Sequence, residues 1–375
     1  VRSLDTLEKT PGRVLLRCDY NVPIQDGQII DDYRIRASVE TIGELKGRAE
    51  QIIIVTHRGR PTGHDPNYST KPIAEHLKTL LGHPVHHVTD PLPKPSTLPS
   101  PSQAPIILLE NIRFVDGETT DSDHVAKRLA DLADIYVNDA FGATHRQHSS
   151  THAVQRFLPS YKGRQVEAEQ LIGRRVRQAD GIYLILGGAK IQTKLDLADT
   201  FTDQARKISL GGTMHLPFYK ANGLSIGNAS IDDKHVDKAR KISQDTIHVP
   251  EDMVVTDSLD QPTQHETVSK DAIPEDSLPA DLGEQATNTI QEQADKADLI
   301  VWNGPLGYYE TDAFARATNN VMEALSDADA DIVIGGGDTA AIVNRNGNPS
   351  TFYHVSTGGG AFLTLLTTGE LPAFN

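Results

Sequence analysis

At 375 residues the chain exceeds what one hydrophobic core usually organises, so two domains are expected. Its 36 Lys and Arg against 51 Asp and Glu leave a net charge of −15, which argues against a nucleic-acid or anionic-membrane partner. One cysteine, Cys18, excludes an internal disulfide, and neither a signal-peptide core nor a membrane-length apolar run is present, so a cytoplasmic protein is expected. The acidic excess reads as a solvated face, with the alternating Asp and Ala at 326–331 a hint of a salt-rich cytoplasm.

Short apolar runs at 14–16, 51–55, 106–109 and 135–137 predict four strands in the first half. Those at 182–186, 208–210, 246–249, 299–302, 331–334 and 353–355 predict six in the second. All are three to five residues long and rich in β-branched side chains, as in parallel sheets buried on both faces. Helical stretches at 73–81, 122–133, 165–179 and 313–325 lie between them. Strand and helix in alternation predict α/β architecture with two doubly wound domains, each a mainly parallel sheet flanked by helices. The expected division is a first domain over 1–164, an inter-domain helix and hinge over 165–179, a second domain over 180–357, and a final segment, 358–375, returning to the first. The Pro-rich stretch 91–105 is read as a loop, and the polar stretch 260–283 as an irregular excursion.

In such sheets ligands bind beyond the carboxyl ends of the strands. Loops there are basic in the first half and glycine-rich in the second. Arg36, Arg60, Arg113 and Arg146, with His57, have the forked donors suited to a small molecule bearing several anionic groups. Glycines after strands let backbone approach a phosphate, and the helix that follows offers its N–H groups. Asp338, directly after Gly335-Gly336-Gly337, is placed to hold Mg²⁺ beside phosphate oxygens. Lys190 and Lys194, four apart at a helix start, can both face transferred phosphate charge. His145, His148 and His152 have metal-like spacing but no Cys or acidic partner at ligand spacing, so hydrogen-bonded histidines near a phosphate site are the favoured reading. Cys18, in an apolar run, reads as a structural thiol.

These motifs resemble one family. Arg17-x-Asp19-x-Asn21-Val22-Pro23, His57-x-Gly59-Arg60-Pro61, Leu109-Glu110-Asn111-x-Arg113-Phe114 and Asn138-Asp139-Ala140-Phe141-Gly142 resemble the substrate domain of phosphoglycerate kinases. Gly187-Gly188-Ala189-Lys190, Trp302-Asn303-Gly304-Pro305, Gly335-Gly336-Gly337-Asp338-Thr339 and Ser356-Thr357-Gly358-Gly359-Gly360 resemble their nucleotide domain, in family order. The resemblance implies reversible phosphoryl transfer between ATP and the carboxylate of 3-phosphoglycerate, giving ADP and 1,3-bisphosphoglycerate, in glycolysis and gluconeogenesis, with hinge-bending closure. It implies that Asp19, Asn21, Arg36, His57, Arg60, Arg113 and Arg146 hold 3-phosphoglycerate, with Arg36 on the reacting carboxylate. Lys194, Gly211, Gly212, Gly304, Glu310, Gly336, Gly337, Asp338 and Thr339 would hold the nucleotide, Glu310 on the ribose and Asp338 on the magnesium. Lys190 and the amides of Gly358 and Gly359 would stabilise the phosphoryl group in flight. A monomer with only small-molecule partners is expected.

Two positions depart from the family pattern. Arg58 stands where an apolar residue is usual and would add charge beside His57. Thr213, after Gly211-Gly212, would crowd the adenine side. The alternatives are an ATP-dependent acyl-phosphate kinase acting on another acid, and a non-catalytic nucleotide-binding protein on this scaffold.

Overall fold

The run Arg13–Cys18 alternates which face each side chain meets, and the chain around it folds accordingly. Val14, Leu16 and Cys18 join one buried cluster with Ile52, Ile54, Ile106 and Leu108, while Leu15 joins another with Ile53, Val55, Ile107 and Leu109. A strand whose two faces both disappear into apolar clusters needs helices on both sides, as the sequence pattern predicted. The computed structural model describes residues 1–7, 12–243 and 245–375, which form two compact units: 1–172 with 368–375, and 173–367.

The first unit holds strands β1 (Arg2–Ser3), β2 (Arg13–Cys18), β3 (Ile24–Gln25), β4 (Gln28–Ile29), β5 (Gln51–Val55), β6 (His86–Val88), β7 (Ile106–Leu109), β8 (Ile135–Asp139) and β9 (Ser160–Lys162). Seven of them make a sheet in the order β1-β9-β8-β2-β5-β7-β6, parallel at every pairing. Helices α1 (Tyr33–Arg36), α2 (Val39–Lys46), α3 (Lys71–Leu81) and α4 (Asp123–Ala130) follow its strands. α2 and α3 bury Ile42, Leu45, Ile73 and Leu77 on one face; α4 buries Val125, Ala126 and Leu129 on the other. The registers Arg17↔Val55 and Arg17↔Asn138 bring the carboxyl ends of three central strands level with one another. β3 and β4 form a small hairpin about Asp26-Gly27, both with positive φ (50° and 78°), the turn that matches strand twist.

Helix α5 (Arg164–Gln178) contains the boundary between the units, which falls between Ile172 and Gly173. Its first turn is tied to β8 by Asp139, whose Oδ1 accepts from the Gln165 N–H at 2.9 Å.

The second unit contains β10 (Ile182–Leu186), β11 (Ala205–Leu210), β12 (Ile247–His248), β13 (Asp252–Thr256), β14 (His265–Ser269), β15 (Leu278–Leu282), β16 (Leu299–Asn303), β17 (Asp331–Gly335) and β18 (His354–Val355). β12-β11-β10-β16-β17-β18 is a second parallel sheet. Around it run α6 (Ile191–Phe201), α7 (Leu216–Ala221), α8 (Asp233–Ala239), α9 (Glu284–Ala294), α10 (Arg316–Ser326), α11 (Gly337–Asn346) and α12 (Gly359–Thr368).

The stretch 260–283 is not irregular. It supplies β14 and β15, which flank β13 in an antiparallel sheet ordered β14-β13-β15. β14 reads His-Glu-Thr-Val-Ser and lies almost wholly exposed, so it lacks the apolar run by which a buried strand is detected. Among the described residues no helix is long and apolar enough to cross a membrane.

Candidate functional site

In the first unit the site begins with an arginine inside the sheet. Arg17 lies in β2, wholly buried, and a buried charge must be satisfied on every side. Its Nε donates to Ser150 Oγ at 2.8 Å, a second nitrogen donates to the Cys18 carbonyl, and the third lies 3.2 Å from His57 Nδ1. Ser150 in turn donates from Oγ to Glu118 Oε1 at 2.6 Å, and its N–H reaches Oε2 at 3.0 Å. Glu118 is itself buried, and burial pushes its carboxyl up despite Arg17 and the Ser150 bonds.

Above this base stands the basic cluster. Burial draws the Arg113 guanidinium down, and Arg17, Arg146 and Arg60 add to the effect, so four guanidinium groups share one field. Arg113 Nε is buried and makes no hydrogen bond within the described residues, while its NH2 faces His148 Nδ1 at 3.5 Å. Burial, with Arg113 and Arg17 beside it, pushes His148 down to about 3, so it stays neutral. His57 is likewise held well below its ordinary value by burial, against the pull of Asp19. Asp19 sits below the usual carboxylate range: burial opposes ionisation, but the Arg34 and Arg17 guanidinium groups favour it. Asn21 accepts the Gly59 N–H at 2.8 Å, tying the first loop to the one that carries Arg60.

The structure brings together Asp19, Asn21, His57, Arg60, Arg113 and Arg146, but places Arg36 elsewhere. Arg36 donates to Asp32 at 2.8 Å, with its side chain 61% exposed, and Asp32 also holds His76 at 2.8 Å. Arg34, two residues earlier, reaches towards this cluster instead. Its NH1 lies 3.5 Å from Asp19 Oδ2 and donates to the Asn21 carbonyl at 3.1 Å. The two arginines are two residues apart on α1, which turns them about 200° from each other, so one alone can face the cluster.

Arg17, Arg34, Glu118 and Ser150 were missed as site residues. Arg17 had a signal, a cation inside an otherwise apolar strand; Glu118 and Ser150 had none. Arg58 does not add charge beside His57: its guanidinium turns to the Ser69 carbonyl (3.3 Å) and over the Tyr68 ring. Among the described residues no group of three His, Cys, Asp or Glu is placed to hold a metal; His152 pairs with Asp121 at 2.8 Å instead.

In the second unit the glycine loops meet one another. Gly188 donates to the Pro305 carbonyl at 2.6 Å, Gly212 to that of Leu306 at 2.7 Å, and Gly187 to that of Asn303 at 2.9 Å. A Cβ on Gly304 would fall 2.2 Å from the Gly187 oxygen, and one on Gly211 would fall 2.6 Å from Leu306. Glycine is therefore needed here for contact between loops, before any phosphate is considered. Thr213 serves the same contact: its hydroxyl donates to the Gly188 carbonyl at 2.8 Å.

Lys194 lies one turn into α6, nearly buried, and its ammonium donates to the Gly187 carbonyl. Burial draws it down to about 8; Asp338 opposes this and Lys190 adds to it. Lys190 and Asp338 are both exposed. Asp338 stands in the first turn of α11, and buried Thr339 accepts the Gly304 N–H at 2.7 Å. α12 begins beside α11, since a Cβ on Gly359 would sit 3.2 Å from Gly337 N. The Gly358 N–H is turned to Ser356 Oγ at 3.1 Å. Two helix N-termini thus converge on one spot, near the buried Asn303 Nδ2, which has no partner within the described residues. Glu310 is exposed beyond the β16 loop. A polar cavity of about 480 Å³ lies apart from these loops, lined by Glu266, Glu284 and Arg316 among others.

Comparison with known proteins places this arrangement. The family model for phosphoglycerate kinase matches residues 4–369. A phosphoglycerate kinase of Rubrobacter xylanophilus is 37% identical, covering 99% of this chain and 96% of its own length. One of Salinispora arenicola is 39% identical, over 99% and 98%. The solved phosphoglycerate kinase of Coxiella burnetii superposes with a TM-score of 0.84 at 31% identity, over 99% of this chain and 97% of that one. The chain belongs to the phosphoglycerate kinase family and is a phosphotransferase with a carboxyl group as acceptor.

Proposed function

We propose that the arginine cluster of the first unit holds 3-phosphoglycerate, and that Arg34, in place of Arg36, meets its reacting carboxylate. The observation that carries this is the position of Arg34 beside Asp19 and Asn21, with Arg36 committed to Asp32. Arg60, Arg113 and Arg146 then supply the forked donors for the phosphate end, Arg113 with a buried nitrogen that needs an acceptor. The attacking carboxylate is already ionised, so no general base is required. Rate comes from alignment and from cations set against the spreading charge of the transferred group.

The nucleotide belongs at the glycine loops of the second unit, its phosphates facing Lys194 and the starts of α11 and α12. One carboxylate, that of Asp338, fits a magnesium ion that arrives on the nucleotide phosphates and not one resident in the protein. When bound, that ion neutralises phosphate charge. Lys190 supplies the mobile cation for the phosphoryl group. With acid and nucleotide on separate domains, 1–164 and 180–357, transfer needs closure about the 165–179 helix. The protein works as a cytoplasmic monomer in this reading.

A coupled assay over a panel of acids tests it. Turnover of 3-phosphoglycerate should dominate; robust turnover of another acid with none of 3-phosphoglycerate overturns the assignment. Lys194 supplies a second check. Its ammonium titrates near 8 in the folded protein and near 10.5 when unfolded, so the unfolded state binds more protons between those values and this lysine's contribution to stability grows as pH rises through that window. Phosphates at Lys194 restore the ammonium, so MgADP binding at pH 8.5 should be accompanied by proton uptake. Calorimetry in buffers of differing ionisation enthalpy reads this directly. Lys194→Met should remove the uptake, and an unchanged uptake would refute the placement.

A further inference from the structure

Below the acid site, four side chains form a directed chain of hydrogen bonds. Glu118 accepts from the Ser150 hydroxyl, Ser150 Oγ accepts from Arg17 Nε, and Arg17 turns its last nitrogen on His57 Nδ1. All but His57 are at most 1% exposed, and His57 is 8% exposed. Arginine donates and never accepts. His57 Nδ1 must therefore accept, which leaves the ring proton on Nε2.

A competing state exists in the same site. Asp19 Oδ1 lies 3.8 Å from His57 Nδ1, and a proton on that nitrogen would pair with it. Which state His57 adopts depends on whether Arg17 is held in place. Arg17 cannot drift, because each of its nitrogens is engaged. Ser150 is fixed too: its carbonyl accepts from the Tyr136 hydroxyl at 2.8 Å, and its N–H is spent on Glu118.

We infer that Glu118 and Ser150 are positioning residues that act through Arg17 to fix His57 as the Nε2–H tautomer, so that this ring N–H is the donor offered to the phosphorylated acid. The inference rests on the acid-binding reading of the first unit. Neither residue touches the acid, and neither carries a motif that marks it.

Histidine-labelled protein tests this by nitrogen NMR, with the His57 signals identified through their loss in His57→Gln. The expected result in the unmodified chain is an unprotonated Nδ1 and a protonated Nε2. The opposite tautomer overturns the inference with no mutation needed. Ser150→Ala removes the link without changing charge. It should mix the tautomers and raise KM for 3-phosphoglycerate about tenfold, with KM for MgATP within about twofold. Ser150→Thr, which restores a hydroxyl, should recover most of the loss. In a His57→Gln background, where the amide donor needs no tautomer, Ser150→Ala should add less than about twofold. Equal effects on both substrates, or full additivity, would reduce Ser150 to a packing residue. Arg113→Ala separates the two levels. If it leaves KM for 3-phosphoglycerate unchanged, the acid-site reading itself falls; if it acts and Ser150→Ala does not, only this inference falls.

Discussion

Arg34→Ala should lower kcat by roughly a thousandfold while MgADP still binds, and Arg36→Ala should leave kcat within about threefold. The contrast is the point, because the two arginines are only two residues apart on one short helix. Arg34 NH1 lies within reach of both Asp19 and the Asn21 carbonyl, inside the field of the acid site. Arg36 is paired to Asp32 at an exposed position. An arginine placed against a transferring phosphoryl group lowers the barrier by about 4–7 kcal/mol. An exposed i,i+4 pair contributes at most about 0.5 kcal/mol to stability. Steady-state kinetics on both variants, with MgADP binding measured by calorimetry, decide the matter. If Arg36→Ala were the inactive one, α1 would have to rotate on substrate binding and the Arg34 assignment would be lost.

The second large effect is on stability. Gly212→Ala should destabilise the second unit by about 3 kcal/mol or more. Gly212 has a φ of +53°, and a Cβ there would lie 2.3 Å from the Gly188 amide nitrogen and 2.9 Å from its Cα. Backbone cannot retreat as a flexible side chain can. The Gly212 N–H is also bonded to the Leu306 carbonyl, so any shift loosens a third loop. Denaturant unfolding followed at Trp302, buried in β16, reads this unit directly. A loss under about 0.5 kcal/mol would mean that the loops are not locked together. Gly27→Ala is the control: its φ is also positive, at +78°, but nothing lies within 4 Å of its Cβ position.

The parallel sheets were legible because their strands are buried on both faces and read as unbroken apolar runs. β5, Gln-Ile-Ile-Ile-Val with every residue buried, is the clearest case. β14 was not legible, since exposed strand residues carry no such signature. Loop chemistry at the strand ends was visible too, because Arg60, Arg113 and Arg146 recur after separate strands. The choice between Arg34 and Arg36 was not, as it depends on the rotation of a four-residue helix set by its packing. Glu118 and Ser150 reach the site from residues more than thirty positions apart in sequence, and composition does not encode such pairings. The glycine loops were found for one reason and turn out to have two. Approach to a phosphate was the expected use; Gly187, Gly304 and Gly212 also let three loops touch backbone to backbone.

The exposed strand β14 has a further consequence, in colloidal terms. It is an outer strand of a small antiparallel sheet, paired on one side only, with β13. Such a row of unpaired backbone groups invites edge-to-edge stacking of molecules. At neutral pH the edge carries Glu266, and the chain as a whole carries a net charge of −15, so approaching copies repel. As pH falls towards the isoelectric point, about 5.4, that repulsion fades while the edge stays open. Light scattering should show self-association beginning there, ahead of unfolding, and Thr267→Pro, which blunts the strand, should delay it.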